Sequence, residues 1–285
     1  MINKVWYVTG ASKGLGLALV KKLLVQGYKV VATTRNLDEL KKAVNNQSEN
    51  FLPLNVSLTD EISVQNSIDA AIDYFGRIDV VVNNAGYGLA GALEELTDAE
   101  SRSNFDINVF GLLNVVRKVM PYLRKQRSGH IFNIASIGGF TGAFPGFGIY
   151  CATKFAVHGL TESLAEEAKP FGIHATVVSP GYFRTHFLSD VSLNVPVNPI
   201  SDYENVRAVQ AAHQESINFN QPGDPGKAAD VMIATAALSQ PPVHLFLGQD
   251  AYDLAVQKIA SVQNDLQLME TQATATAFEE DVVMG

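Results

Sequence analysis

The sequence predicts an α/β fold: a single doubly wound parallel sheet with helices on both faces. Three observations lead there. Short apolar runs rich in Val and Ile alternate with longer stretches of helical periodicity through most of the chain, the rhythm of repeated strand–helix–strand units. The runs lack polar alternation, as strands covered on both faces do. A glycine-rich stretch, Thr9-Gly10-Ala11-Ser12-Lys13-Gly14-Leu15-Gly16, falls where the first run meets the first helical pattern, the end of a strand at which such sheets receive ligands.

Residues 4–9 read as the first strand. The spacing of Leu15, Leu19 and Leu23 with Val20 and Leu24 predicts a helix over 15–26. A strand at 29–34, a helix at 37–44, a strand at 51–56, a helix at 61–75 and a strand at 78–83 continue the alternation. A long helix is expected over 99–126 with a bend at Pro121, then a strand at 130–136, a helix at 148–168 and a strand at 175–179. Between 182 and 225 Pro, Asn, Ser and Asp break the rhythm, which predicts a mobile loop with short helices over a substrate site. A last strand follows at 243–247. Residues 1–248 therefore read as one domain and 249–285 as a helical extension. Leu254, Ile259, Val262, Leu266 and Met269 give the extension a helix over 251–269, and 274–285 is expected to be disordered.

The bulk numbers exclude several classes. The chain has 285 residues, 47% hydrophobic and 18% charged, with a formal net charge of −8, which is soluble globular composition. An acidic balance without a dense Lys/Arg run argues against nucleic acid or an anionic membrane surface as partner. The N-terminus lacks a signal-peptide core, and no apolar stretch approaches the roughly 18 residues of a membrane span. Cys151 is the single cysteine, so no internal disulfide or multi-cysteine zinc site can form. The six histidines, His130, His158, His174, His186, His213 and His244, show no metal-ligand spacing, and no metal is expected. A cytoplasmic protein is the resulting expectation.

The chemistry concentrates in Tyr150-Cys151-Ala152-Thr153-Lys154, 14 residues after Ser136. Tyr150 and Lys154 lie on one helical face. An ammonium fixed there favours the phenolate and brings a phenol of ordinary pKa about 10 toward proton exchange near neutrality. The glycine turn lets backbone amides and the helix N-terminus meet a pyrophosphate. The second strand ends in Arg35 with no carboxylate before Asp38. A guanidinium there matches a 2′-phosphate bidentately, and Lys13 supplies a second cation, so NADP is expected. Cys151 has no histidine beside it in sequence, and the helix register is expected to turn it away from the cofactor. The acidic cluster Glu162, Glu166 and Glu167 reads as a solvated helix face.

With these residues in view the chain resembles the short-chain dehydrogenase/reductase family, in its NADP-preferring carbonyl reductase type. Besides the glycine turn and Tyr150–Lys154, it carries Asn83-Asn84-Ala85-Gly86, Asn108-Val109-Phe110-Gly111, Ser136 and Pro180-Gly181 followed by Thr185, in order over about residues 4–190. The resemblance implies a Rossmann-like fold and a catalytic tetrad of Asn108, Ser136, Tyr150 and Lys154. Tyr150 would be the acid–base group, Ser136 would hold the substrate oxygen, Lys154 would lower the Tyr150 pKa and hold the ribose, and Asn108 would position a water reaching Lys154. It implies cofactor contacts at Gly10, Ser12, Lys13, Gly14, Leu15, Gly16, Arg35, Asn55, Val56, Asn84, Ala85, Gly86, Tyr150, Lys154, Pro180, Gly181 and Thr185. Two departures stand out. Asn55 replaces a usual aspartate, and the Ser136–Tyr150 interval is one residue longer than the commonest form, an excess the glycine-rich 138–148 segment can absorb.

Tyr87, Phe140, Phe144, Phe147, Tyr182, Phe183 and Phe187 crowd the expected substrate side, which suits a hydrophobic or aromatic carbonyl compound or its alcohol. Arg184 is the one charge there and can be structural. Two other readings share these residues: a non-catalytic NADP(H)-binding sensor, and an epimerase that regenerates its cofactor. The resemblance also implies assembly as a homodimer or homotetramer.

Overall fold

The computed structural model describes residues 4–190 and 192–278. In chain order, β1 (Val5–Val8), α1 (Gly14–Val25), β2 (Lys29–Thr34), α2 (Leu37–Val44), β3 (Phe51–Asn55), α3 (Glu61–Phe75) and β4 (Val80–Asn83) form the first half. There follow β5 (Gly88–Leu89), α4 (Asp98–Phe105), α5 (Leu112–Gln126), β6 (Gly129–Ile134), α6 (Gly148–Ala168) and β7 (Ile173–Pro180). The chain ends through β8 (Leu193–Asn194), α7 (Glu204–Ala211), α8 (Pro225–Thr235), β9 (His244–Leu247) and α9 (Gln249–Thr274).

Seven of these strands make one sheet in the order β3-β2-β1-β4-β6-β7-β9, every neighbouring pair parallel. Alternation along each strand sends residues to opposite faces, and both faces are apolar. Val5, Tyr7, Val31, Val81, Ile131 and Val177 join a core with α3, α5 and α6. Trp6, Val8, Val30, Ala32, Val82 and Phe132 join another with α1 and α8. The predicted doubly wound sheet is the observed one. Its order reverses between β1 and β4, so the loops after those strands diverge and leave a crevice at their carboxyl ends.

The helices begin and end where the sequence supplies caps. Asn36 accepts from the Glu39 amide at the start of α2, and Asp60 accepts from the Ile62 and Ser63 amides at the start of α3, each satisfying an orphan donor of the first turn.

Several elements differ from their expected form. The long helix over 99–126 is divided: α4 and α5 are joined by a turn of π-helix, Asp106–Gly111. Strand β6 stops at Ile134, and Ser136 begins a short 3-10 turn, Ile137–Gly139. The 182–225 segment holds a 3-10 turn (His186–Leu188), α7, a π turn (Ala212–Ile217) and β8, which pairs with β5 outside the main sheet. Helix α8 has no counterpart in the sequence reading. Its Asp224 cap and Pro225 start it, and Ala228, Ala229, Met232 and Ile233 bury against α1. Its apolar face is largely alanine, too weak a periodic signal beside the Pro- and Asp-rich segment that precedes it.

Helix α9 is longer than the expected 251–269. Only Ala251 and Ala255 are buried, and every residue from 259 to 278 is exposed, the row Ile259, Val262, Leu266 and Met269 included. Thr274, the first residue expected to be disordered, is its last helical residue; 279–285 lie outside the described residues. Among the described residues no helix is long and apolar enough to cross a membrane.

Candidate active site

The site is built where the turns after β1 and β4 meet. Gly10 has φ +62°, and a Cβ there would come within 2.7 Å of the Ala85 Cα. A Cβ on Gly16 would stand 2.5 Å from Asn84 Nδ2 and 2.6 Å from the Gly10 carbonyl oxygen. The space these glycines leave lets the two turns brace each other. Asn84 Nδ2 donates to the carbonyls of Thr9 and Gly10, both at 2.9 Å. The Thr9 hydroxyl accepts from the amides of Asn84 at 3.0 Å and Ala85 at 3.1 Å. No side chain caps α1 behind Lys13, so its first amides face the crevice as an anion seat.

A cavity of about 690 Å³ runs from this turn past the ends of β2 and β3 to Ser136, Tyr150 and Lys154. Of the expected cofactor residues, Gly10, Ser12, Lys13, Gly14, Leu15, Arg35, Val56, Asn84, Ala85, Gly86, Tyr150, Lys154, Pro180, Gly181 and Thr185 line it. Gly16 and Asn55 do not: Gly16 acts from behind as packing space, and Asn55 Nδ2 donates to the Arg35 carbonyl at 3.0 Å. Arg35 is exposed and its side chain has no ion pair or hydrogen bond among the described residues. Lys13 instead pairs with Glu39 Oε1 at 3.0 Å. Glu39, which also lines the cavity, was not a sequence candidate, because only the start of α2 brings it back over the glycine turn. The outline suits a dinucleotide: an amide-rich turn, cations beyond β2, and acid–base groups at the far end.

The tetrad residues converge from three elements. Asn108 sits in the π turn, 2% exposed. Its Oδ1 accepts from the Tyr87 amide, and its Nδ2 donates to the Tyr87 carbonyl, each at 3.0 Å, and to Thr153 Oγ1 at 3.1 Å. Asn108 does not line the cavity. A Cβ on Gly86 would lie 2.9 Å from Asn108 Oδ1 and 3.5 Å from Lys154 Nζ, so a glycine keeps the gap between them open. Lys154 Nζ donates to the Ile134 carbonyl at 2.9 Å and lies 5.7 Å from the Tyr150 ring centroid. The Ser136 hydroxyl accepts from the Gly138 amide at 3.1 Å.

Burial governs the ionisation of both central groups. It pushes the Tyr150 phenol well above its ordinary range, the Ser136 hydroxyl opposing and Cys151 and Tyr182 adding to the rise. It pulls Lys154 down to about 8. The expected depression of Tyr150 by Lys154 is opposed here by desolvation, the largest influence on the phenol, while the ammonium donates to the Ile134 carbonyl.

Cys151 corrects another expectation. It lines the cavity instead of turning away, with burial raising its thiol to about 11. Thr185 caps the His186–Leu188 turn by accepting from the Phe187 amide at 3.3 Å. It also stands over the glycine turn: a Cβ on Gly14 would lie 3.6 Å from the Thr185 Cβ. Of the expected aromatics, Tyr87, Phe144, Phe147, Tyr182, Phe183 and Phe187 line the cavity, whereas Phe140 packs against Phe246 beneath α9. Arg184 donates through Nε to the Gln221 carbonyl at 3.2 Å, a structural role. His213 was not singled out from sequence, yet it lines the substrate end. His158, Glu162 and His244 gather their ligand-type atoms within 4.8 Å of one another. None of the three lines the cavity, and His158 Nε2 bonds Ser179 Oγ at 2.9 Å.

Comparison with known proteins gives a consistent picture. The family model described as short chain dehydrogenase matches residues 4–195. Oxidoreductase BOA17 of Botryotinia fuckeliana is 36% identical over 258 residues, covering 89% of this chain and 92% of that protein. The 3-ketodihydrosphingosine reductase of Bacteroides thetaiotaomicron is 38% identical over 229 residues, 80% of this chain and 82% of that one. The crystal structure of a short-chain dehydrogenase from Streptomyces avermitilis superposes with a TM-score of 0.89 at 34% identity, covering 97% of this chain and 99% of that chain.

Proposed function

The chain belongs to the short chain dehydrogenase family, and on that premise we propose that it is an NADP(H)-dependent oxidoreductase interconverting a hydrophobic or aromatic ketone or aldehyde and its alcohol. The observation that carries this reading is one cavity with an amide-rich turn at one end and Ser136, Tyr150 and Lys154 at the other. Its substrate end is walled by Phe144, Phe147, Phe187 and Leu188, which favours an apolar body, and one relative is named for reducing a keto compound. The Arg35 guanidinium, exposed and without a side-chain partner among the described residues, supports the phosphorylated cofactor.

When bound, the cofactor supplies the hydride that reduces the carbonyl carbon. The protein's part is proton delivery and charge. Tyr150, held protonated by burial, donates to the carbonyl oxygen as that oxygen gains charge. Ser136 hydrogen-bonds the same oxygen. Lys154 holds positive charge beneath the site and faces the gap to Asn108 across Gly86, a route by which a water can return a proton toward Tyr150. Gly10, Gly14 and the first amides of α1 would hold the pyrophosphate of a bound cofactor, and Thr185 stands over Gly14.

The test is oxidation of NADPH and of NADH by purified protein with a panel of aryl and aliphatic ketones, followed at 340 nm, with Tyr150→Phe beside it. The expected result is ketone-dependent NADPH oxidation that falls about 10²–10⁴-fold in the variant, the span of a general acid's contribution. Cofactor binding without turnover of any ketone would replace this reading with a sensor. The reading includes assembly as a homodimer or homotetramer, supported by the exposed Phe110 and Phe155 on neighbouring elements.

A further inference from the structure

We infer that Tyr182 and His213 form a specificity element recognising a second hydrogen-bond donor, a hydroxyl or amino group, on an otherwise apolar carbonyl substrate. The inference rests on the reading above for the reaction and adds the class of substrate.

Tyr182 directly follows Gly181, and its amide donates to Asp250 Oδ2 at 2.6 Å, which fixes the backbone as it leaves β7. His213 comes from the π turn that ends α7 and is 8% exposed. Its Nδ1 lies 2.7 Å from the Val209 carbonyl oxygen. A carbonyl only accepts, so Nδ1 carries the hydrogen and Nε2 offers a lone pair in the neutral ring. The Tyr182 hydroxyl lies 2.8 Å from that Nε2 and donates to it. Its proton is committed, and the Tyr182 oxygen is left with lone pairs alone. A phenol ordinarily both donates and accepts; this one is an acceptor.

The acceptor is set close to the chemistry and among apolar walls. Phe147 lies 4.8 Å from the His213 ring and 6.4 Å from the Tyr150 ring, so one side chain separates the pair from the catalytic phenol. Phe144, Phe147, Phe187 and Leu188 line the same cavity and pack with Tyr182 in one apolar cluster. A substrate that fills this end removes water from the Tyr182 oxygen. An apolar or acceptor-only group there leaves the oxygen unpaired, which disfavours it, whereas a hydroxyl or amine N–H restores the bond. Polar sites of this kind discriminate by rejecting the analogue that lacks the matching group.

The test uses acetophenones bearing a hydroxymethyl, methoxymethyl or methyl group on the ring at position 3 or 4. Their dissociation constants from cofactor-saturated protein are measured by calorimetry and their reduction at 340 nm. At one ring position the hydroxymethyl compound is expected to bind at least about 10-fold more tightly than the other two. Tyr182→Phe, nearly isosteric, should abolish that difference. His213→Leu should free the phenol proton and raise methoxymethyl binding toward that of the hydroxymethyl compound, a reversal a merely structural role would not produce. Equal or undetectable binding of all three, or a preference that survives Tyr182→Phe, overturns the inference. Ketone reduction without the preference sinks this inference alone; the preference without any reduction sinks the proposed reaction and leaves the recognition element standing.

Discussion

Burial moves Tyr150 and Lys154 in opposite directions by the same cause, since it disfavours charge on each. The phenol stays protonated at neutral pH, and the ammonium is only marginally retained. If Lys154 must be charged, kcat/KM for ketone reduction should fall as pH rises through about 8. Lys154→Arg, which keeps its charge to above about pH 12, should move that falling limb upward even if the rate itself drops. Glu39→Gln should release Lys13 from its 3.0 Å partner and remove a negative charge from the phosphate end. NADPH should then bind about 1.5–5-fold more tightly, with NADH little changed, as competition titrations would show; exposed pairs carry energies of that order. At this scale the sequence was legible where spacing does the placing: Tyr150 and Lys154 are four apart on one helix. Glu39, His213 and the inward face of Cys151 were not, because their relation to the cavity depends on how loops return to it.

Elements set the precision with which those residues meet. The π turn Asp106–Gly111 inserts an extra residue into a helix and gives Asn108 its four-way contact with Tyr87, Asn104 and Thr153. A periodic pattern runs through such a turn without a mark, so a continuous helix was the natural reading. Helix α8 was lost for the opposite reason, an apolar face of alanines. The glycine turn was visible in letters, but which glycine answers to which constraint was not. Gly16→Ala should cost about 1–3 kcal/mol in urea denaturation, because its Cβ meets a fixed amide and a carbonyl and overpacking costs of that order follow. Cofactor affinity should fall with it, since Asn84 would be forced off the turn it braces.

Across the whole molecule, the parallel sheet followed from runs of β-branched residues, while its strand order, and with it the crevice, came from the structure. The buried histidines carry a molecular consequence of their own. His130 is held down to about 3 and His158 to about 4, both mainly by desolvation. Each is neutral in the folded chain where the unfolded chain would take up a proton, so stability rises with pH through this window. Below the ordinary 6.5, His130 should withdraw about 1.4 kcal/mol of stability per pH unit until its folded value is reached. The urea midpoint should therefore fall between pH 7 and pH 5, and His130→Gln should flatten that slope.

Helix α9 has 26 residues, a rod of about 39 Å at the usual rise, and its outer part rests on nothing described. A body with such a spar drags more solvent than a sphere of equal mass. Its friction coefficient should exceed that of a compact 30.8 kDa particle, and a single copy should elute early from a sizing column, where it imitates a larger assembly. Light scattering, which weighs the particle instead of timing it, separates a long monomer from a true oligomer.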